Sequence, residues 1–79
     1  MLGIKTLRSE LKRLGATIVN ETPYTDLEDA TLELGGIYDG VHLSVGCGYY
    51  SVVKECESGS FLFINGDGNL RRELEEVMR

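Results

Sequence analysis

Seventy-nine residues suffice for one domain, near the size at which a single core only just outweighs chain entropy, and exclude a second. With 42 % hydrophobic and 27 % charged residues the chain reads as an ordinary soluble fold; no apolar run nears the roughly 18 residues of a membrane span. The net charge of −5 is uneven: residues 1–19 carry +3, residues 20–68 carry −8 with Lys54 as their one cation, and residues 69–79 balance, so the acidic middle repels a phosphate backbone and attracts a basic surface.

Ile4, Leu7, Leu11 and Leu14 recur at helical spacing, and Gly15 follows where a helix end is expected. Lys5, Arg8 and Lys12 form a second, basic stripe on this helix, read as a solvated face. These charges, with Glu10 and Arg13, arrive before the apolar core of a signal peptide could form, so the expected compartment is the cytoplasm. Residues 16–20 are β-branched and predict a short strand, and residues 21–29, with the only proline, Pro23, predict an irregular connection.

Residues 30–65 predict an antiparallel meander. Ala30, Leu32 and Leu34 alternate with polar residues, Gly35-Gly36 interrupts, and Ile37-Tyr38 continues as a bulged or sharply twisted strand. Asp39-Gly40 predicts a two-residue type I′ hairpin leading into Val41, Leu43 and Val45. Gly46-Cys47-Gly48 makes a corner, residues 49–56 the next strand, and residues 60–64 the last. Between those two strands, a three-residue turn with a bulge at Gly59 is preferred over a two-residue turn, because it pairs Val52 with Ile64 and gathers Tyr50, Val52, Leu62 and Ile64 on one face. The opposite face then shows Val53, Phe61 and Phe63, apolar enough to need a cover of its own. Leu70, Leu74, Val77 and Met78 form the inward stripe of a closing helix capped by Asp67 or Asn69.

The expected architecture is one α+β domain over residues 1–79: an N-terminal helix, an antiparallel meander of four to five strands and a C-terminal helix, both helices on one sheet face. Leu7, Leu11, Leu14, Leu70, Leu74 and Val77 are its expected helix contribution to the core.

Five patterns tied to chemistry are weak. Cys47 and Cys56 stand nine residues apart, roughly 30 Å along an extended strand, too far for a disulfide. With one histidine, His42, the chain lacks the paired ligands of a zinc site, and His42 and Cys47 lie too far apart along one strand for a catalytic dyad. Gly46-Cys47-Gly48-Tyr49-Tyr50-Ser51 echoes a dinucleotide fingerprint, but the following residues favour a strand where the fingerprint needs a helix. Asn65, Asp67, Asn69 and Glu76 match ligand positions of a calcium loop, but Leu70 takes its glycine position, and a capped loop is the simpler reading. No enzyme activity, cofactor or metal is therefore expected.

Tyr38, Tyr49, Tyr50, Phe61 and Phe63 fall on the meander, where aromatics can stack on single-stranded bases, but Lys54 alone would track phosphates. The helix–strands–helix order also invites comparison with double-stranded RNA-binding domains, whose basic cluster is not reproduced by Asn69-Leu70-Arg71-Arg72-Glu73. Nucleic acid and membrane are not expected partners. The expected function is a non-catalytic protein-binding module, of the small acidic inhibitor or adaptor kind that phages and mobile elements encode, contacting a basic surface through Tyr24, Asp26, Glu28, Asp29, Glu33, Tyr38 and Asp39. The alternative is a structural subunit, a homodimer or larger assembly that self-associates through the bare sheet face.

Overall fold

A computed structural model describes residues 3–23, 30–46 and 48–79. Helix α1 (Ile4–Arg13) buries Leu7 and Leu11 completely, with Ile4 and Leu14 half-buried beside them. It ends in a Schellman motif: the Gly15 N–H donates to Lys12 C=O (3.1 Å) and the Ala16 N–H to Leu11 C=O (2.9 Å), satisfying carbonyls that the helix leaves unpaired. The chain then enters a five-stranded antiparallel sheet in simple order: β1 (Thr17–Pro23), β2 (Ala30–Gly35), β3 (Val41–Gly46), β4 (Tyr49–Glu55) and β5 (Phe61–Asn65). Helix α2 (Leu70–Val77) closes the fold and packs on β4 and β5. The α+β meander between two helices is as the sequence predicts.

The period-2 alternation divides the sheet into two faces. Leu32, Leu43 and Val52 are cross-strand neighbours and wholly buried; Leu34, Val45, Tyr50 and Ile64 join them with Leu7 and Leu11 of α1 and Leu70, Leu74 and Val77 of α2. Both helices therefore cover one face. Met78, expected in the inward stripe, is exposed because it is the C-cap residue, past the last full turn of α2.

Three local expectations are corrected. Residues 21–23, expected to open an irregular connection, extend β1, with Pro23 opposite Ala30; β1 is an edge strand, where a missing N–H breaks no ladder bond on the solvent side. The register shift between Ile18 and Asn20 leaves Val19 unpaired and exposed, and the irregularity is in β1 rather than at Ile37. Gly36–Tyr38 forms a 3₁₀ turn instead of a strand. Asp39-Gly40 is not a type I′ hairpin: Asp39 has φ −57° and ψ 135° and only Gly40 is at positive φ (88°), the type II pattern, so this turn finishes a longer connection from β2 to β3.

The β4–β5 hairpin has the preferred register. Val52 faces Ile64 and Val53 faces Phe63, the Gly59 N–H donates to Cys56 C=O (2.9 Å), and Gly59 sits at φ 87°, the bulge geometry that a side chain disfavours. β4 is extended, and Cys56 just beyond it is a free thiol; Cys47 lies outside the described residues. No helix among the described residues is long and apolar enough to cross a membrane.

Candidate functional site: the uncovered sheet face

With both helices on one side, the residues of opposite parity form a face that no element among the described residues covers. Across the strands it presents Asn20, Thr31 and Glu33, then His42 and Ser44, then Ser51, Val53 and Glu55, and finally Phe61, Phe63 and Asn65. Its two halves differ chemically. On the β4–β5 side Phe61 is 59 % and Phe63 61 % exposed, and Val53 is buried between its cross-strand neighbours His42 and Phe63. Tyr49, 75 % exposed, stands at the start of β4 on the same face. On the other side Val19, Glu33, Asp39, His42 and Glu55 line an open depression of about 280 Å³. Three carboxylates beside an imidazole at the edge of an aromatic strip can receive a cationic side chain while the strip takes an apolar one.

The predicted contact residues fall in three groups. Glu33 and Asp39 are exposed and are brought together at the depression. Tyr38 is half-buried and packs against the core from the 3₁₀ turn. Tyr24, Asp26, Glu28 and Asp29 lie outside the described residues. Glu55, Phe61 and Phe63, absent from that set, complete the face; their strand parity, opposite to that of Val52 and Ile64, was the available signal.

Behind the face lies a buried polar lock. Glu73 of α2 is wholly buried and accepts hydrogen bonds from the Tyr50 hydroxyl and from the Asp67 N–H (2.6 Å), while the Gly68 N–H donates to the Tyr50 oxygen (3.2 Å). Strand β4, the loop before α2 and α2 itself are thus tied at one point. Burial raises the Glu73 pKa against the opposing effect of its two donors, and burial followed by the Glu73 hydrogen bond raises that of the Tyr50 phenol. Gly66 is required here by contact: a Cβ would lie 2.4 Å from the Tyr50 ring. Glu73 falls on the inward stripe with Leu70, Leu74 and Val77, which is the periodicity signal for its burial.

Three residues of the calcium-like pattern, Asp67, Asn69 and Glu76, have their oxygens engaged within the protein. Asn69 is the N-cap, its side chain accepting from the Arg72 N–H (3.2 Å), and Asp67 accepts from the Asn69 N–H (3.0 Å) and pairs with Arg72, which also reaches Glu76 (3.1 Å). The Asn69 N–H bond, aided by Arg72, lowers the Asp67 pKa. No group of three or more His, Cys, Asp or Glu residues placed to hold a metal ion occurs among the described residues. On α1, Arg8 of the basic stripe pairs with Glu21 of β1. Compared with models of known protein families, with curated proteins and with solved structures, the chain matches none of them.

Proposed function

We propose that this chain is a non-catalytic protein-binding module that uses its uncovered sheet face to engage a basic protein surface. The observation that carries the reading is the juxtaposition, on one uncovered face, of exposed Phe61 and Phe63 with the carboxylates of Glu33, Asp39 and Glu55. Aromatic anchors supply contact area, and the acidic depression steers a cationic partner and fixes its orientation. A small acidic inhibitor or adaptor works in this way, occupying a surface its partner uses for an anionic ligand. A second reading, self-association through this side of the sheet, is favoured by the exposure of Phe61 and Phe63 at one edge.

The test uses polylysine of defined length as the basic probe, titrated at two salt concentrations. Reversing Glu33, Asp39 and Glu55 to lysine is expected to weaken binding about tenfold more than the same charge change at Glu57, Glu75 and Glu76, which lie off the face. Equal losses from both triple variants would refute the site, because net charge alone would then explain the binding.

A further inference from the structure

Among the described residues the sheet has two free edges, β1 and β5, and the chain treats them differently. β1 carries Pro23, Glu21 and the Val19 bulge, devices that keep an edge from pairing with another strand. β5, Phe61-Leu62-Phe63-Ile64-Asn65, contains no charge and no proline, and its register against β4 is unbroken from Glu55↔Phe61 to Ser51↔Asn65. The hydrogen bonds at its two ends fix which backbone groups point outward. The Cys56 N–H donates to Ser60 C=O (2.8 Å) and the Gly66 N–H to Tyr50 C=O (2.7 Å). By the alternation of an antiparallel ladder, Leu62 and Ile64 turn their N–H and C=O groups toward β4, while Phe61, Phe63 and Asn65 turn theirs to the free edge.

We propose that β5 pairs antiparallel with β5 of a second copy about a twofold axis at Phe63, joining the two five-stranded sheets into one. The inference rests on the self-association reading above and assigns it an edge and a register. Phe63 then faces Phe63 of the second copy and Phe61 faces its Asn65, with about six backbone hydrogen bonds between the strands. On the uncovered face the four phenylalanines form one continuous strip; on the helix side Leu62, 44 % exposed, meets Ile64 of the second copy.

Charge placement selects this edge and this direction. Glu21 and Glu33 lie on β1 and β2, roughly 14 to 19 Å from β5 across the sheet, so pairing through β5 separates these carboxylates in the two copies by several Debye lengths. Pairing through β1 would bring them together. The antiparallel direction sets the two acidic Glu57 turns at opposite ends of the joined strands, whereas a parallel pair would align them. Phe61, Phe63 and Leu62 together still show on the order of 300 Å² per copy, less than half of a standard interface half, which fits a reversible dimer rather than an obligate one.

Sedimentation equilibrium of the full chain between about 10 µM and 1 mM, with amide hydrogen exchange at both extremes, tests the pairing. The expected result is a concentration-dependent monomer–dimer equilibrium in which the Phe61, Phe63 and Asn65 amides gain protection at high concentration. Phe63→Lys, which sets two like charges at the axis, is expected to leave a monomer with unchanged circular dichroism. Ser44→Arg, in the middle of the uncovered face, is expected to keep the dimer. A monomer at every concentration overturns the proposal and leaves the edge open to a foreign strand. Dimers that Ser44→Arg dissociates while the three amides stay unprotected overturn it in favour of face-to-face stacking, the self-association reading surviving; retention of polylysine binding in either case leaves the basic-partner reading intact.

Discussion

Removing one hydroxyl at the centre of the polar lock is predicted to destabilise the fold in a pH-dependent way. In Tyr50→Phe the ring stays, but the buried Glu73 carboxylate loses its hydroxyl donor and the Gly68 N–H loses its acceptor. A hydrogen bond to a charged group is worth about 1.5 to 3 kcal/mol, and Gly68 is exposed enough to bond water instead, so the expected loss near pH 7 is about 2 kcal/mol. For a domain of this size that is a fall of about 8 to 16 °C in Tm. The folded Glu73 pKa is raised by burial above its unfolded value, so the native state binds more protons between the two: the stability linked to this group is fully present below the unfolded value and is lost as pH rises through the folded one. The Tyr50 hydroxyl opposes that rise, and its removal raises the Glu73 pKa further. The loss in Tyr50→Phe should therefore shrink to about 1 kcal/mol near pH 4, where the carboxyl is neutral. Urea denaturation of both proteins at pH 4 and 7 measures this. Equal stability of the two proteins at pH 7, or the same difference at both pH values, would refute the assignment of Glu73 as a buried, hydroxyl-bonded carboxylate.

The remaining predictions follow from the same geometry. Glu73→Gln should remove the part of the fall in stability that comes as pH rises above the ordinary carboxylate range, as seen in urea midpoints against pH, because the group whose pKa burial raises is gone. Gly66→Ala should cost about 3 kcal/mol, since its Cβ displaces the Tyr50 ring and breaks the lock; Gly59→Ala, with open space around its Cβ, should cost about 1 kcal/mol through its positive φ alone, and thermal melts separate the two. Leu43→Ala, at the wholly buried centre of the sheet, should cost about 3 to 5 kcal/mol, whereas Phe61→Ala should change stability by less than about 0.5 kcal/mol and weaken association instead, checked by denaturation alongside sedimentation.

The sequence made the two-faced sheet legible because burial writes itself as alternation: Leu32, Leu43 and Val52 on one side, Phe61 and Phe63 on the other. Helix α1 was readable for the same reason at a different period. The missed features depend on partners remote in sequence or on edges. Pro23 reads as loop unless its strand is known to be outermost, and Asp39-Gly40 suits a type II turn as well as a type I′ hairpin until the end of β2 at Gly35 is fixed. Glu73 looks like one more surface acid beside Arg71 and Arg72; its burial depends on Tyr50, 23 positions earlier, offering a hydroxyl from β4. Of the candidate site, Glu33 and Asp39 were found through charge, while Phe61 and Phe63 were recognised as apolar surface needing a cover and were tied only to the self-association alternative.

If the proposed function holds, the uncovered sheet face, not the helix layer, meets the partner. Titrating the isotope-labelled chain with polylysine and mapping the perturbed backbone amides decides between the two surfaces. Shifts are expected to concentrate at Glu33, Asp39, His42, Val53, Glu55 and Phe63, with Glu75 and Glu76 on the outer surface of α2 unchanged. Shifts centred on Glu75 and Glu76, with the sheet face silent, would contradict it.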